Sequence, residues 1–469
     1  LDSEQTKVTV FKISKKGKRN KILYERTFQH SITEEIRLYA FGGEDEIEIK
    51  GEVKKGIIVR VIGGLGDDLI NDKSKVGGLK KKNIIYDQKS GTTLNSGMST
   101  KSKLSDKDPN INNYNMEEFD FDVRMPLLDA SYNPDDGLFI GGGIMIKNDG
   151  FRKDPFATKH SISAVYAIAT SSFGINYEGQ FTNVLAKANL ELNASILSPN
   201  YVNNFFGLGN DSSFDEERGL NYYRTRFKAY LLDPKIVFEL GDHTAFKIGT
   251  RFLGVNIEES AGRFITDFDN NGLDPEGLFD FKAYAGPSIQ FEIEQKDNEV
   301  YPKRGVNLNA EYYYNAGLND NSSNSAQFMS HLSFTWTPVP FGRTTLATRI
   351  GYQKSFGDYE FFQSARLDGF NTLRGYRRFR FAGESSFYTQ FDARFELVEW
   401  KNYILPSRIG LILFSDTGRV WYDNEESKKW HFGYGGGVYL VPFNEFALNI
   451  LLANSREGLL PLIKLGFYF

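Results

Sequence analysis

The most specific chemistry in the chain rests on one arginine and two aspartates. Arg374 lies in the run Leu373-Arg374-Gly375-Tyr376, and two alternating segments follow, each with one candidate acid. In residues 386–400, Phe387, Thr389, Phe391, Ala393, Phe395 and Leu397 are mostly apolar, whereas Tyr388, Gln390, Asp392, Arg394 and Glu396 are polar. Residues 408–421 begin as an apolar run that Asp416 interrupts just before Gly418. Successive strand side chains point to opposite faces, so this is the period of a strand with lipid on one side and water on the other. The guanidinium fork can bridge two carboxylates, and Arg374, Asp392 and Asp416 therefore read as a charge-assisted clamp that pins a loop inside a barrel. Covalent or metal chemistry finds less support. His30, His160, His243, His331 and His431 are scattered, and no nucleophile-base constellation appears.

Composition bounds the setting. The 469 residues contain no apolar run of about 18 that could form a membrane-crossing helix. A β-barrel hides its membrane signal in alternation, and 40 Phe and 25 Tyr beside 4 Trp suit aromatic girdles at two membrane surfaces. Without cysteine the sequence has no disulfide, thiolate metal site or lipidated cysteine, and a net charge of -4 argues against nucleic acid as partner. Leu1 is not a start Met and no charged-then-apolar leader follows, so the sequence reads as a mature chain or a fragment.

Stepping outward from the clamp, alternating segments recur about every 22 residues from Met125 on, the pitch of a strand plus a connection. Sixteen strands are expected, an even number as closure requires, with the clearest at 305–316. Short turns such as Gly241 to Thr244, Pro338 to Arg343 and Pro442 to Glu445 belong at the periplasmic end. Long loops at 197–221, 258–279 and 355–385 belong outside. This places Arg374 between strands eleven and twelve, in the sixth outer loop. The final segment alternates too, with Ile463, Leu465, Phe467 and Phe469 on one face.

Residues 1–72 read as a small β-rich periplasmic domain. Within it Gly63 to Ile70, GGLGDDLI, is similar to the GGxGxDxI repeat of calcium β-rolls, where stacked turns hold calcium through Asp carboxylates and carbonyls. Its neighbour Gly42 to Ile49 lacks the second Asp, so one full repeat makes half a site. No cofactor is required, and calcium is a candidate at Asp67, Asp68 and Asp72 beside the alternative of a metal-free corner. Residues 73–123, rich in Lys, Ser, Gly and Asn, read as a solvated linker, and 124–469 as the barrel. The expected fold is all-β: a 16-stranded antiparallel transmembrane barrel behind a small β-rich domain.

The Leu373–Tyr376 run, the acids at 392 and 416, the Tyr301–Gly305 turn, the Ser131–Gly137 stretch and terminal Phe469 together resemble the BamA-type superfamily of outer-membrane barrels, the bacterial surface antigens. The resemblance covers Arg124 to Phe469. It implies that the sixth outer loop folds into the lumen, that Arg374 meets the acids of strands twelve and thirteen, and that Leu373, Gly375 and Tyr376 complete the loop motif. It also implies a seam between strands one and sixteen, where Pro126, Pro461, Gly466 and Phe469 fall, and a location in the bacterial outer membrane. Such a barrel assists insertion or translocation of proteins or lipids, with client proteins, lipoproteins and outer-membrane lipids as partners, and is not an enzyme. Residues 1–72 depart from the strand-helix POTRA pattern of this superfamily. They are more similar to the segment joining a metallophosphoesterase to such a barrel, so a membrane anchor for an upstream hydrolase stands as the alternative.

Overall fold

A computed structural model of the chain describes residues 4–14, 18–78, 80–116, 120–133, 135, 137–185, 188–338, 342–423, 425–467 and 469. Pro134 and Asp136 of the Ser131–Gly137 stretch, and residues 339–341 of the Pro338–Arg343 turn, lie outside the described residues. Two compact units divide the chain at Asp120.

The first unit opens with an antiparallel hairpin, Gln5–Ile13 against Arg19–Gln29. A parallel β-solenoid follows. Strands Glu35–Tyr39, Ile58–Ile62, Asn83–Asp87 and Thr100–Leu104 stack in register on one side, and Glu46–Ile49, Leu69–Asp72 and Thr93–Asn95 on a second. Glu52–Val53 and Lys75–Val76 make a short third side. A rung this small cannot bury its inner face alone, and stacking lets Ile36, Val59, Val61, Ile70 and Ile85 form one continuous core.

This corrects the reading of residues 73–123 as a linker. The solenoid runs through them, and the unit ends at Asp120 rather than Asp72. Their apolar pattern is weak because part of the interior is polar. Asn83 Nδ2 donates to Asp72 Oδ2 at 2.8 Å and to Ser74 Oγ at 2.7 Å, and Thr100 Oγ1 donates to Asp72 Oδ2 at 2.7 Å. Side chains that satisfy one another can be buried without being apolar.

The second unit is a closed barrel of sixteen antiparallel strands. We number them β1 (Val123–Asn133), β2 (Gly137–Asn148), β3 (Thr158–Ala167), β4 (Ser172–Leu185), β5 (Ala188–Asn204), β6 (Arg224–Gly241), β7 (Thr244–Ile257) and β8 (Lys282–Lys296). The remainder are β9 (Gly305–Gly317), β10 (Ser325–Trp336), β11 (Thr344–Gly357), β12 (Ser385–Trp400), β13 (Ser407–Trp421), β14 (His431–Pro442), β15 (Leu448–Ser455) and β16 (Gly458–Leu465). Alternation decides the faces. Leu332, Phe334, Trp336, Leu411, Leu413, Ile450 and Leu452 are exposed on the outer wall. Inside, Lys235 pairs with Glu311 at 2.6 Å, and Lys247 with Glu191 and Glu292 at 2.8 Å each. An apolar exterior around a polar lumen makes this a transmembrane barrel of the outer-membrane type.

The longest connections, 205–223, 258–281 and 358–384, all follow odd-numbered strands and so lie at one end. Phe205, Phe206, Tyr223, Phe264, Ile265 and Phe361, drawn from these loops and their strand ends, share one buried cluster. The loops are thereby a packed cap. At the other extreme of the chain, β16 stops at Leu465 where strand parity alone carries it on to Phe469. Gly466 adopts φ +80°, a left-handed conformation open to glycine, and Phe467 and Phe469 pack against the buried cluster of Tyr301, Phe414, Tyr439 and Leu462.

Candidate functional site in the barrel lumen

The connection 358–384, here loop 6, begins with a 3-10 turn at Phe361–Gln363 and is pinched by antiparallel pairing of Ala365–Leu367 with Phe381–Gly383. Asp368 then folds its tip. Its carboxylate accepts the Phe370 N–H at 2.9 Å and Asn371 Nδ2 at 2.9 Å, while its carbonyl accepts the N–H groups of Thr372 and Leu373. Leu373 and Tyr376 are buried with Leu367, Phe381, Tyr388 and Val420. The tip is therefore a preformed unit that presents Arg374.

Arg374 is wholly buried. Its Nε donates to Asp416 Oδ2 at 2.7 Å, its Nη2 to Asp416 Oδ1 at 2.6 Å, and its own backbone N–H to Asp416 Oδ2 at 2.8 Å. Nη2 also lies 2.9 Å from Asp392 Oδ1, and the guanidinium carbon sits 4.0 Å from the Phe414 ring centroid. The sequence-derived trio thus comes together, unequally: Asp416 takes the two-pronged contact and Asp392 a single one. Asp392 is shared. Its Oδ2 stands 3.5 Å from Nη2 of Arg394, which donates to the Phe469 carbonyl at 2.8 Å and stacks over Phe467 at 4.1 Å. One chain of charge therefore links loop 6, β12, β13 and the inward-turned segment after β16.

Backbone approaches fix the loop as firmly as charge does. A Cβ at Gly433 on β14 would lie 1.7 Å from the Arg374 carbonyl oxygen, so only glycine lets the loop pass there. Ser455 at the end of β15 donates its hydroxyl to the Gly375 carbonyl.

At the seam, β1 and β16 share one registered pair among the described residues, Tyr132 opposite Ile463. On its other side β1 pairs with β2 at every residue from Val123 to Asn133, and β16 pairs with β15 throughout. Those inner ladders run through Pro126 and Pro461 without a register shift, so the two missing N–H donors leave them intact.

The sequence reading missed a second arginine cluster just beyond the motif. Arg377 Nη1 contacts Asp135 Oδ1, in the β1–β2 connection, at 3.1 Å, and the Arg378 N–H donates to Asp135 Oδ2 at 2.5 Å. The Arg377 N–H donates to Glu457 Oε2, in the β15–β16 connection, at 3.1 Å, and Arg380 pairs with the same carboxylate. Residues 377–380 thus hold the outer connections of both seam strands. The signal was available as the basic run Arg377, Arg378, Arg380, but its partners lie far off in sequence.

In the first unit the three calcium candidates do not converge. Asp67 is exposed. Asp72 is spent on Asn83, Thr100 and Ser74, whose hydrogen bonds outweigh its burial and hold its carboxyl below the usual range. Asp68 is buried in the solenoid corner, where its carboxylate accepts the Asp45 N–H.

Comparison with solved structures places the barrel. The chain is similar to BamA from Haemophilus ducreyi lacking POTRA domains 1-3, with a TM-score of 0.51 and 13% identity over 74% of this chain and 70% of that one. CdiB from Escherichia coli matches at a TM-score of 0.47 and 10% identity over 73% of this chain and 62% of that one. CdiB from Acinetobacter baumannii gives 0.44 and 13% over 73% and 59%. No protein-family model matches the chain, and no curated protein does. At these identities the likeness to BamA establishes the fold, a 16-stranded barrel of the BamA type.

Proposed function

We propose that this barrel sits in a bacterial outer membrane, with the first unit in the periplasm, and assists insertion or translocation of client proteins or lipids at the seam between β1 and β16. The observation that carries this reading is the seam itself, which among the described residues has one registered pair where every other neighbouring pair of barrel strands has seven or more. Backbone groups without partners cost several kcal/mol each in hydrocarbon, so a thinly paired edge is a template on which an incoming strand can add. The fold likeness to BamA supports the same reading.

Loop 6 supplies the control. Arg374, Asp416 and Asp392 hold its tip in the lumen, where a free pore would need open space. Residues 377–380 hold the outer ends of both seam strands together. Work of this kind is done by exchange of hydrogen bonds and needs no cofactor.

A second reading, a membrane anchor for a hydrolase joined upstream, draws on the first unit. Its stacked parallel strands differ from the strand-helix alternation of POTRA domains, and it contains no helix among the described residues. A disulfide between Tyr132→Cys and Ile463→Cys separates the two, because the native chain has no cysteine. If the seam works, cells carrying the oxidised variant as their only copy lose function and regain it on reduction. Full function with quantitative cross-linking would leave the anchor reading in place.

A further inference from the structure

The solenoid corner holds two buried carboxylates face to face, contributed by successive rungs. Asp68 is 2% exposed and Asp87 fully buried. They meet because the position in register with Asp87 on the rung below is Gly63: a Cβ there would lie 2.1 Å from Asp87 Oδ2 and 2.7 Å from Asp68 Oδ2. The space a side chain would fill is occupied by two carboxylate oxygens instead.

Neither oxygen is satisfied. Asp68 Oδ1 accepts the Asp45 N–H at 2.9 Å, and Asp87 Oδ1 accepts the Gln88 N–H at 2.7 Å and Asn112 Nδ2 at 3.0 Å. Asp68 Oδ2 and Asp87 Oδ2, however, have no protein hydrogen-bond partner, and nor do Asp45 Oδ2 and Asn112 Oδ1, each buried. Two buried carboxylates in contact are costly without a proton or a cation between them. No three acidic or histidine side chains converge on one point among the described residues. What converges is two carboxylates, with the Asn112 side-chain amide held against Asp87.

We infer that Asp68 and Asp87, with Asn112, bind one hard divalent cation, calcium, above Gly63. All donors are oxygen, which excludes a preference for soft or nitrogen-seeking metals, and the mixed carboxylate, amide and water shell with loose geometry suits calcium better than magnesium. The site differs from the Asp67, Asp68, Asp72 set that spacing alone brings together, since Asp72 is consumed by the interior network. Bound cation would tie two rungs and the segment after the last rung, which carries Asn112, into one unit.

The alternative occupant is a proton. Burial, with the neighbouring charges of Asp87 and Asp45, pushes the Asp68 carboxyl up to about 6, so a cation must compete with protonation there. The test is equilibrium dialysis of calcium against the full chain in detergent after chelator treatment, at pH 7.5 and pH 5, with Asp87→Asn and Asn112→Ala variants. Terbium luminescence sensitised by Tyr86, next to Asp87, gives a readout on the unmutated chain should Asp87→Asn fail to fold. Expected are one calcium per chain at pH 7.5, at least tenfold weaker binding at pH 5 and in either variant, and terbium signal displaced by calcium rather than by equal magnesium. No binding at millimolar calcium, binding unchanged in both variants, or terbium displaced equally by magnesium would overturn the assignment. So would an Asp87→Asn chain that is more heat-stable and whose wild-type parent ignores calcium, since that result marks a shared proton.

Discussion

Asp416 receives three hydrogen bonds from the single residue Arg374, two from the guanidinium and one from the backbone N–H. A lysine could replace neither the second side-chain prong nor its geometry. Arg374→Lys should therefore behave like Arg374→Ala, each destabilising loop 6 by about 3 to 5 kcal/mol less whatever lumen water recovers. Thermal unfolding together with protease cutting of loop 6 in intact cells measures this.

The unequal sharing orders the acids. Asp416→Ala should release loop 6 more fully than Asp392→Ala, because Asp392 offers Arg374 one contact at 2.9 Å. Adding Arg374→Ala to the double acid variant should change little, since contacting residues do not contribute additively. Additive losses across that cycle would show that the three act separately.

Gly433→Ala tests the backbone approach without touching a charge. Its methyl would overlap the Arg374 carbonyl, and overpacking of this kind costs about 1 to 3 kcal/mol. Loop 6 should become protease-sensitive while all clamp side chains remain. An unchanged cutting pattern would mean the loop can shift without leaving the lumen.

In the outer strap, Glu457→Lys should loosen residues 377–380, and Arg380→Glu added to it should restore part of the loss by reversing the pair. Spin-label mobility at the β15–β16 connection reports both steps.

The pH dependence of the first unit follows from opposite shifts. The raised Asp68 group binds its proton more tightly when folded, so its contribution is present at low pH and is lost as pH rises through about 6. Asp72, held below the usual range, contributes in the reverse sense and loses its share only as pH falls toward its lowered value. Calcium-free chain should therefore protect the solenoid amides from exchange better near pH 5 than at pH 7.5, with protection falling again in stronger acid.

Much of the barrel was legible because membrane strands must alternate. The expected strand at 305–316 became Gly305–Gly317, and the count of sixteen placed Arg374 in the connection after the eleventh strand. The clamp was legible for a related reason: parity put Asp392 inward, and Asp416 broke an otherwise apolar run. The solenoid was half hidden, because Asp72, Asn83 and Thr100 fill its interior with polar atoms that a search for apolar alternation discards. Parity also missed the inward turn of Phe467 and Phe469, which depends on one left-handed glycine. The Arg377–Asp135 and Arg380–Glu457 pairs join residues far apart in the chain, a relation no local pattern encodes.

The coupling of clamp to seam is the centre of the account, and a distance measured across the seam tests it. Spin labels on Tyr132→Cys and Ile463→Cys, in a lipid bilayer, report the separation of β1 and β16 directly. In the otherwise native chain one short, narrow distance is expected, and Arg374→Ala should add a longer, broader population as loop 6 lets go. Identical distance distributions, with release of loop 6 shown by protease cutting of the same sample, would contradict the claim that the Arg374 clamp governs the seam.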